Sequence, residues 1–381
     1  MIPETGPIDP LKFTALALAV PLVGLAGPAR AETSPLAALQ QLGYENLVVQ
    51  PEPRGLTVWY ENRRRRLEID ALGEVLRVAS AGLGPDQVLT VLPERDRVPL
   101  LRVRTRVGDL RDFLSGRLDT KGFGDRLEIT PPPGDAPAPQ ANSSRFIPRL
   151  SLSPGYFFSV SFNGFVDGTL DVPLGTGLSG STNERLSLYP FGPATWTFAE
   201  LEGHRWLTSN LLGAWSAGRL WDGTYGAQAE VAGQLGGGDW VWRIHGGAFN
   251  NLPVIAFTSL ERRFFPLDVV FVGWVGVFEN GDRAIYLRAI RWFGRSQIES
   301  AVYRSDLGIQ LRMGLTIDLG PDPLPTGPVR IVPGTFDNQY RVTKPAAATL
   351  PFPSVDTDRV LGRLSPSYVR AHVEEWRHPE R

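Results

Sequence analysis

The side chains that could do chemistry in this chain are few, and most are badly spaced for it. Four histidines (His204, His245, His372, His378) are scattered, no two at metal-ligand spacing on one helix, so polar surface or lumen positions are expected and no metal or other cofactor is implied. Glu200 and Glu202 flank a turn signal and could face one another as a glycosidase pair, although carboxylates near a strand end are mostly solvated. Gly175-Thr176-Gly177 with Gly180 has the composition of a phosphate loop but lacks its lysine and following helix. Ser300 and Ser305 have neither histidine nor acid at useful spacing, so no residue receives a catalytic role.

What remains is recognition chemistry. Exposed, the run Arg63-Arg64-Arg65-Arg66 would hold a polyanion such as an acidic polysaccharide or an anionic lipid surface; otherwise it is a solvated turn or strand end. Trp240 and Trp242 with Arg243, and Tyr286 with Arg288 and Trp292, combine aromatic faces with guanidinium forks. Facing a lumen they would stack on and hydrogen-bond to a glycan; facing lipid they would be interfacial anchors.

These groups need elements to carry them. The 381 residues are 42% hydrophobic, enough for a packed core but not for a bundle of membrane helices. The 39 basic and 40 acidic residues nearly cancel, which argues against nucleic acid as a partner. Cysteine is absent, excluding disulfides, thiolate metal sites and a lipobox. Residues 1–31 read as a secretory signal: Lys12 precedes the apolar stretch 13–25, and Ala29-Arg30-Ala31 is a small-x-small cleavage site. Export without disulfides fits a bacterial envelope.

A compact α/β module is expected over 34–130. Ser34-Pro35 caps a first helix, Ile69, Leu72, Val75, Leu76 and Ala79 recur at helical spacing, and strands fall near 46–50, 56–61, 87–92, 100–106 and 126–130. A Pro-rich linker follows at 131–144, and from 145 to 320 strand signals replace helical ones, about ten to twelve of them. The clearest is 307–319, where Leu307, Ile309, Leu311, Met313, Leu315, Ile317 and Leu319 alternate with Gly308, Gln310, Arg312, Gly314, Thr316 and Asp318. A period of two sorts side chains onto opposite faces of one strand, which at about 3.3 Å per residue would reach roughly 40 Å. A hairpin joins 224–235 to 240–250, and strands at 269–278, 284–293, 297–304 and 307–319 follow with short connections, so an antiparallel up-and-down meander is expected. After Gly320-Pro321 the pattern stops; 321–364 is Pro-rich, and Ser365-Pro366 starts a helix whose Tyr368, Val369, His372, Val373 and Trp376 share a face. That face would pack on the module, plug a barrel mouth or lie at a membrane interface.

The alternation cannot say which face is inside. A soluble barrel or sandwich turns its oily face inward; an outer-membrane barrel turns it toward lipid and lines a lumen with the polar one.

Leu39-Gln40-Gln41-Leu42-Gly43-Tyr44-Glu45-Asn46-Leu47 with Val58-Trp59-Tyr60-Glu61-Asn62-Arg63 resembles the soluble module of the YjbH-like exopolysaccharide-biosynthesis outer-membrane proteins. Ser305-Asp306-Leu307-Gly308 and Ile317-Asp318-Leu319-Gly320-Pro321 are similar to the barrel end of that group. The resemblance implies an α+β chain: a periplasmic α/β module, then an outer-membrane barrel that meets lipid and works with polysaccharide and other secretion proteins. Members of the group are longer and carry more than one module. The rival expectations are a soluble periplasmic binding or scaffold protein and, weaker, a carbohydrate-active enzyme.

Overall fold

The computed structural model describes residues 34–381 except 66, 133, 159–161, 193, 221–223, 279–280, 295, 307, 320–328, 345–356, 362–363 and 378–381. The expected signal segment lies outside the described residues, and no described helix is long and apolar enough to cross a membrane.

The N-terminal part is a small α/β sheet module. Its elements are α1 (Pro35–Gln41), β1 (Glu45–Glu52), β2 (Gly55–Glu61), α2 (Glu68–Ser80), β3 (Val88–Arg95), β4 (Val98–Pro99), β5 (Arg102–Arg106), α3 (Val107–Leu114), α4 (Thr120–Arg126) and β6 (Glu128–Thr130). The sheet order is β1-β2-β3-β5-β6, with β4 folded back on β3. Only β2 and β3 run parallel, and α2 makes the crossover that a parallel pair requires. Ile69, Leu72, Val75, Leu76 and Ala79 are all buried in α2, as their spacing demands. Ser34 caps α1 by accepting from the Ala37 amide. The linker is less free than its composition suggests, since Ala141 bridges to Leu47 and extends the β1 edge.

The larger part is a closed β-barrel of thirteen strands: β7 (Arg149–Phe158), β8 (Phe162–Gly175), β9 (Leu178–Tyr189), β10 (Thr195–Thr208), β11 (Leu211–Leu220), β12 (Thr224–Leu235), β13 (Trp240–Phe249), β14 (Ile255–Phe264), β15 (Val269–Val277), β16 (Arg283–Phe293), β17 (Ser296–Ser305) and β18 (Gly308–Asp318), then, after the short β19 (Arg330–Pro333), the closing β20 (Thr335–Lys344). From β7 to β18 each strand is antiparallel to the next, and β20 continues this against β18.

Two expectations need correction here. The barrel does not end near 320: its last strand lies within the Pro-rich stretch. Nor is it wholly antiparallel, because β20 closes the ring by pairing parallel to β7. Parity explains this: an odd number of alternating strands brings first and last together in the same direction. β19 also runs along β7. Pro333 pairs with Leu152 and Asp337 with Gly155, four steps against three, so β19 and β20 form one strand interrupted by a one-residue bulge. Gly334 sits there because a Cβ would stand 2.0 Å from the Leu152 carbonyl oxygen.

The wall is apolar outside and polar inside. Along β18, Ile309, Leu311, Met313 and Ile317 are exposed, Leu311 at 48%, whereas the intervening Gln310 is 1% exposed. The same sorting holds on β12 and β14, where Gln228, Glu230, Ser259, Glu261 and Arg263 are buried inside while Tyr225, Leu235, Leu260 and Phe264 face out. Outward aromatics mark both rims: Trp240, Phe264 and Phe293 on the module side, and Phe158, Phe162, Tyr189, Tyr225 and Tyr340 on the other. Between Tyr225 and Leu235 the strand rises roughly 34 Å at about 3.4 Å per residue, or about 25 Å of wall at the tilt a closed barrel requires.

The C-terminal face finds its cover on the module. After α5 (Asp358–Leu361), α6 (Pro366–His372) and the single turn Val373–Arg377 put Tyr368, Val369, Val373 and Trp376 into the module core, together with Phe265 from the β14–β15 turn. Of the three surfaces open to this helix, it takes the module.

Candidate functional site

The candidate site is the barrel interior, which holds most of the buried polar side chains of the wall. Three layers fill it.

At the module-side mouth the β3–β4 turn enters the barrel. Glu45 on β1 pairs with Glu61 on β2, and Glu61 with Glu94 on β3, so three glutamates stand in a cross-strand row and all are buried. Like charges in such a row repel at about 5 Å between Cβ atoms, so burial demands cations. Arg63 supplies one, contacting Glu61 and, at 2.7 Å, Asp96 in the β3–β4 turn. Arg149, the first residue of the barrel, supplies the other: its guanidinium lies 3.7 Å from Glu45, 3.6 Å from Glu61, 3.6 Å from Asp96 and 3.2 Å from Asp171 of β8. It therefore ties module to wall. Glu94 lies beyond both cations, and burial, reinforced by the neighbouring Glu61, pushes its carboxyl up to about 9, so it holds a proton at neutral pH. The backbone joins in: the Gly177 amide donates to the Asp96 carbonyl at 2.7 Å and the His204 amide to the Gly177 carbonyl at 2.8 Å.

In the middle layer, Arg243 donates to Glu261 at 2.8 Å and to the Thr357 hydroxyl at 3.1 Å, Thr357 donates to Glu230, and Arg263 pairs with Glu261. Farther round the wall, on β16 to β18, Glu299 holds Arg288 at 2.9 Å and Arg312 at 2.7 Å. Thr357 belongs to the segment after β20, so the chain's own C-terminal part occupies the lumen. Val360 and Leu361 continue this, packing with Val98 of β4 against Leu212, Ala232 and Val241 of the inner wall. At the distal end Phe257, Phe278, Tyr286 and Tyr303 cluster with Phe249 and Ile255, and the Tyr303 hydroxyl donates to Asp282 at 2.8 Å.

No family model matches the chain, and no match was found among the curated proteins or the solved structures.

The arginine run is not a free polyanion surface: Arg63 is buried in the cluster above, Arg64 donates to the Leu42 carbonyl at 2.7 Å, and Arg65 pairs with Glu74 at 3.2 Å. Arg66 lies outside the described residues. Trp242 and Arg243 are separated by the pleat. Trp242 covers Gly233 on the outer wall and Arg243 points into the lumen, so the two cannot grip one sugar. Tyr286, Arg288 and Trp292 do share the inner face of β16, where Arg288 is held by Glu299 and the Trp292 indole donates to Gln297 at 3.0 Å. Glu200 and Glu202 lie on one continuous strand rather than across a turn, and Glu202 accepts from Ser179 at 3.1 Å. Gly175 and Gly177 form the β8–β9 turn against the module. Ser300 is on the outer wall, with Ser305 at the end of β17. His204 is buried at the mouth, 3.9 Å from Asp96, His245 stacks on Phe257 in the lumen, and His372 lies 3.2 Å from Asp268, while His378 is outside the described residues. Among the described residues no group of side chains could hold a metal.

The glutamate row and the lumenal C-terminal segment were not foreseen from the sequence. A signal for the row existed: Glu45, Glu61 and Glu94 each stand at the end of an apolar run in a strand-forming segment. For the segment there was none, because nothing local in 357–361 distinguishes a lumen from a surface.

Proposed function

We propose that this chain is an outer-membrane β-barrel, with the α/β module on the periplasmic side of the wall, that assists the biosynthesis or export of a surface polysaccharide without catalysing a reaction. The inside-out sorting of the wall carries the membrane part of this reading. Ion pairs and amide groups are buried within while leucine, isoleucine, phenylalanine and methionine cover the outside, an apolar surface that water would not tolerate on a monomer. An apolar band of about 25 Å between aromatic rims has the height of a transmembrane β-barrel, and closure leaves no unpaired strand edge in hydrocarbon.

The polysaccharide part rests on the module's resemblance and on the lumen. Glu230, Arg243, Glu261 and Arg263 with Arg288, Glu299 and Arg312 line the lumen with groups able to hydrogen-bond a hydroxyl-rich polymer, and what fills the lumen belongs to the chain itself: the β3–β4 turn, residues 357–361 and the distal aromatic cluster around Phe257 and Tyr303. The module is thus a stopper that a secretion partner would displace. The test is cell fractionation with a polymer assay. Expected are extraction by detergent alone, heat-modifiable migration in gels, and less surface polysaccharide when the gene is deleted. Recovery in the osmotic-shock fluid would refute the membrane reading; an unchanged polymer would refute the role.

A further inference from the structure

On the outer wall, facing away from the lumen, strands β14 to β18 form a trough of about 630 Å³. Its floor is made by the small residues Gly273, Ala289 and Ser300, and its sides by Leu260, Phe271, Leu287, Val302, Leu311 and Met313. The register shows why a trough exists. Ala289 lies between Phe271 and Ser300, with Met313 beyond Ser300, and Gly273 lies between Leu260 and Leu287, so short side chains run diagonally through a surface of long ones. The hollow is apolar except at one end.

That end is cationic. Arg262 closes the trough toward the module-side rim with its guanidinium 4.8 Å from the Trp240 ring and 5.0 Å from the Phe264 ring. Two strands away, about 10 Å by ordinary strand spacing, Arg291 stands outward on β16, 4.9 Å from Phe293. Asp239 is the acid beside Arg262, at 3.6 Å, longer than a hydrogen bond, so the guanidinium keeps donors to offer. Aromatic faces on two sides fix a planar cation at the level where a bilayer's phosphates begin.

We infer that this trough is a binding site for a glycerophospholipid with an anionic headgroup, one acyl chain lying over Gly273, Ala289 and Ser300 and the phosphate at Arg262 and Arg291. The inference rests on the membrane reading above and adds a ligand to it. Charge complementarity selects the occupant: an apolar trough closed by Arg262, with Arg291 outward on the same rim, matches an acyl chain ending in a phosphate diester, whereas a second copy of the wall would bring the same arginines against its own. A headgroup with its own ammonium would lose part of the attraction, so phosphatidylglycerol should bind in preference to phosphatidylethanolamine.

Native mass spectrometry of the full-length chain in detergent, titrated with each of these two lipids, provides the test. The wild type is expected to carry one retained phosphatidylglycerol at roughly ten times the occupancy of phosphatidylethanolamine, a difference of about 1.4 kcal/mol. Replacing both arginines (Arg262→Ala with Arg291→Ala) should abolish the preference, and Ala289→Leu, which fills the floor, should remove the retained lipid of both kinds. Equal occupancy in the wild type, or a preference that survives these changes, overturns the proposal. So does a dimer that Ala289→Leu dissociates, since the trough would then hold a second copy. Heat-modifiable migration of each variant separates the two levels of the argument: if it persists and the lipid preference is absent, only the lipid site falls; if the wild type lacks it, the membrane reading and this site fall together.

Discussion

Replacing Trp376 by alanine should loosen the C-terminal helix from the module and with it the anchorage of the adjoining residues 357–361 that occupy the lumen. The Trp376 side chain is 1% exposed, its ring lies edge-on to Phe123 at 6.0 Å between centroids, and its indole donates to the Ile69 carbonyl at 2.9 Å. It fits only because position 73 is glycine; a Cβ there would stand 2.5 Å from the ring. Truncating a buried tryptophan costs about 3–5 kcal/mol, a weakening of the segment's docking by roughly two to three and a half orders of magnitude. Arg377 still donates to the Phe113 carbonyl at 3.0 Å and to the Leu118 carbonyl at 2.6 Å, so the helix should loosen while the module persists. The assay is hydrogen exchange of the amides in 366–377, measured on the full-length chain in detergent, alongside conductance in planar bilayers. Faster exchange by about a hundredfold or more is expected for the alanine variant, with more frequent openings. Trp376→Phe should give a lesser change, near the ~1 kcal/mol of one lost hydrogen bond, and Gly73→Ala should resemble the alanine variant by pushing the ring out. Unchanged exchange of 366–377 in a variant that keeps heat-modifiable migration would refute the claim that this pocket anchors the segment.

Other consequences follow from the mouth and the wall. Arg149→Met leaves Glu45, Glu61, Asp96 and Asp171 short of a cation and should cost about 3–5 kcal/mol, seen as protease cleavage in 131–148; resistance equal to the wild type would contradict its bridging role. Glu94 binds its proton more tightly folded, at about 9, than unfolded, near 4.5, so its contribution to stability is complete below about 4.5 and is lost as the pH rises to about 9. Glu68, raised to about 7 mainly by burial, acts in the same direction between about 4.5 and 7. Glu94→Gln should therefore flatten the fall in melting temperature between pH 7 and 9, and a slope as steep as the wild type's would count against the assignment. Leu311→Arg should hinder folding into lipid vesicles at a cost of about 2–4 kcal/mol if that position meets the bilayer centre, whereas a wild-type yield would oppose the outward placement.

Much of the wall was legible because strand alternation is a local signal that survives in any context where the two faces meet different media. The hairpin of β12 and β13 and the run from β15 to β18 stand close to where the periodicity put them. β14 escaped because Glu261, Arg262 and Arg263 in succession obscure the alternation, although Glu261 and Arg263 face inward and only Arg262 outward. β20 escaped because it is set among prolines and because Asn338 interrupts the apolar series between Phe336 and Tyr340. The parallel seam follows from a strand count, which one missed strand changes. In the module, helical spacing identified the buried face of α2, but the four arginines looked like a surface run because charge in a sequence carries no record of its partners. Only the fold brings Glu61 and Asp96 to Arg63, and Glu74 to Arg65. Trp242 and Arg243 show the converse limit: neighbours in sequence, on a strand they lie on opposite sides of the wall.

The medium that the apolar face of the wall meets separates a membrane barrel from a soluble one. Since the chain has no cysteine, single cysteines at Leu311 and at Gln310 can each carry a bimane fluorophore in vesicles containing brominated lipid. The label at Leu311→Cys should emit to the blue and be strongly quenched by bromine, while the label at Gln310→Cys should be neither. Quenching at Gln310→Cys with none at Leu311→Cys, or at neither position in a chain that stays in the aqueous phase, would contradict a wall whose outer face is covered by lipid.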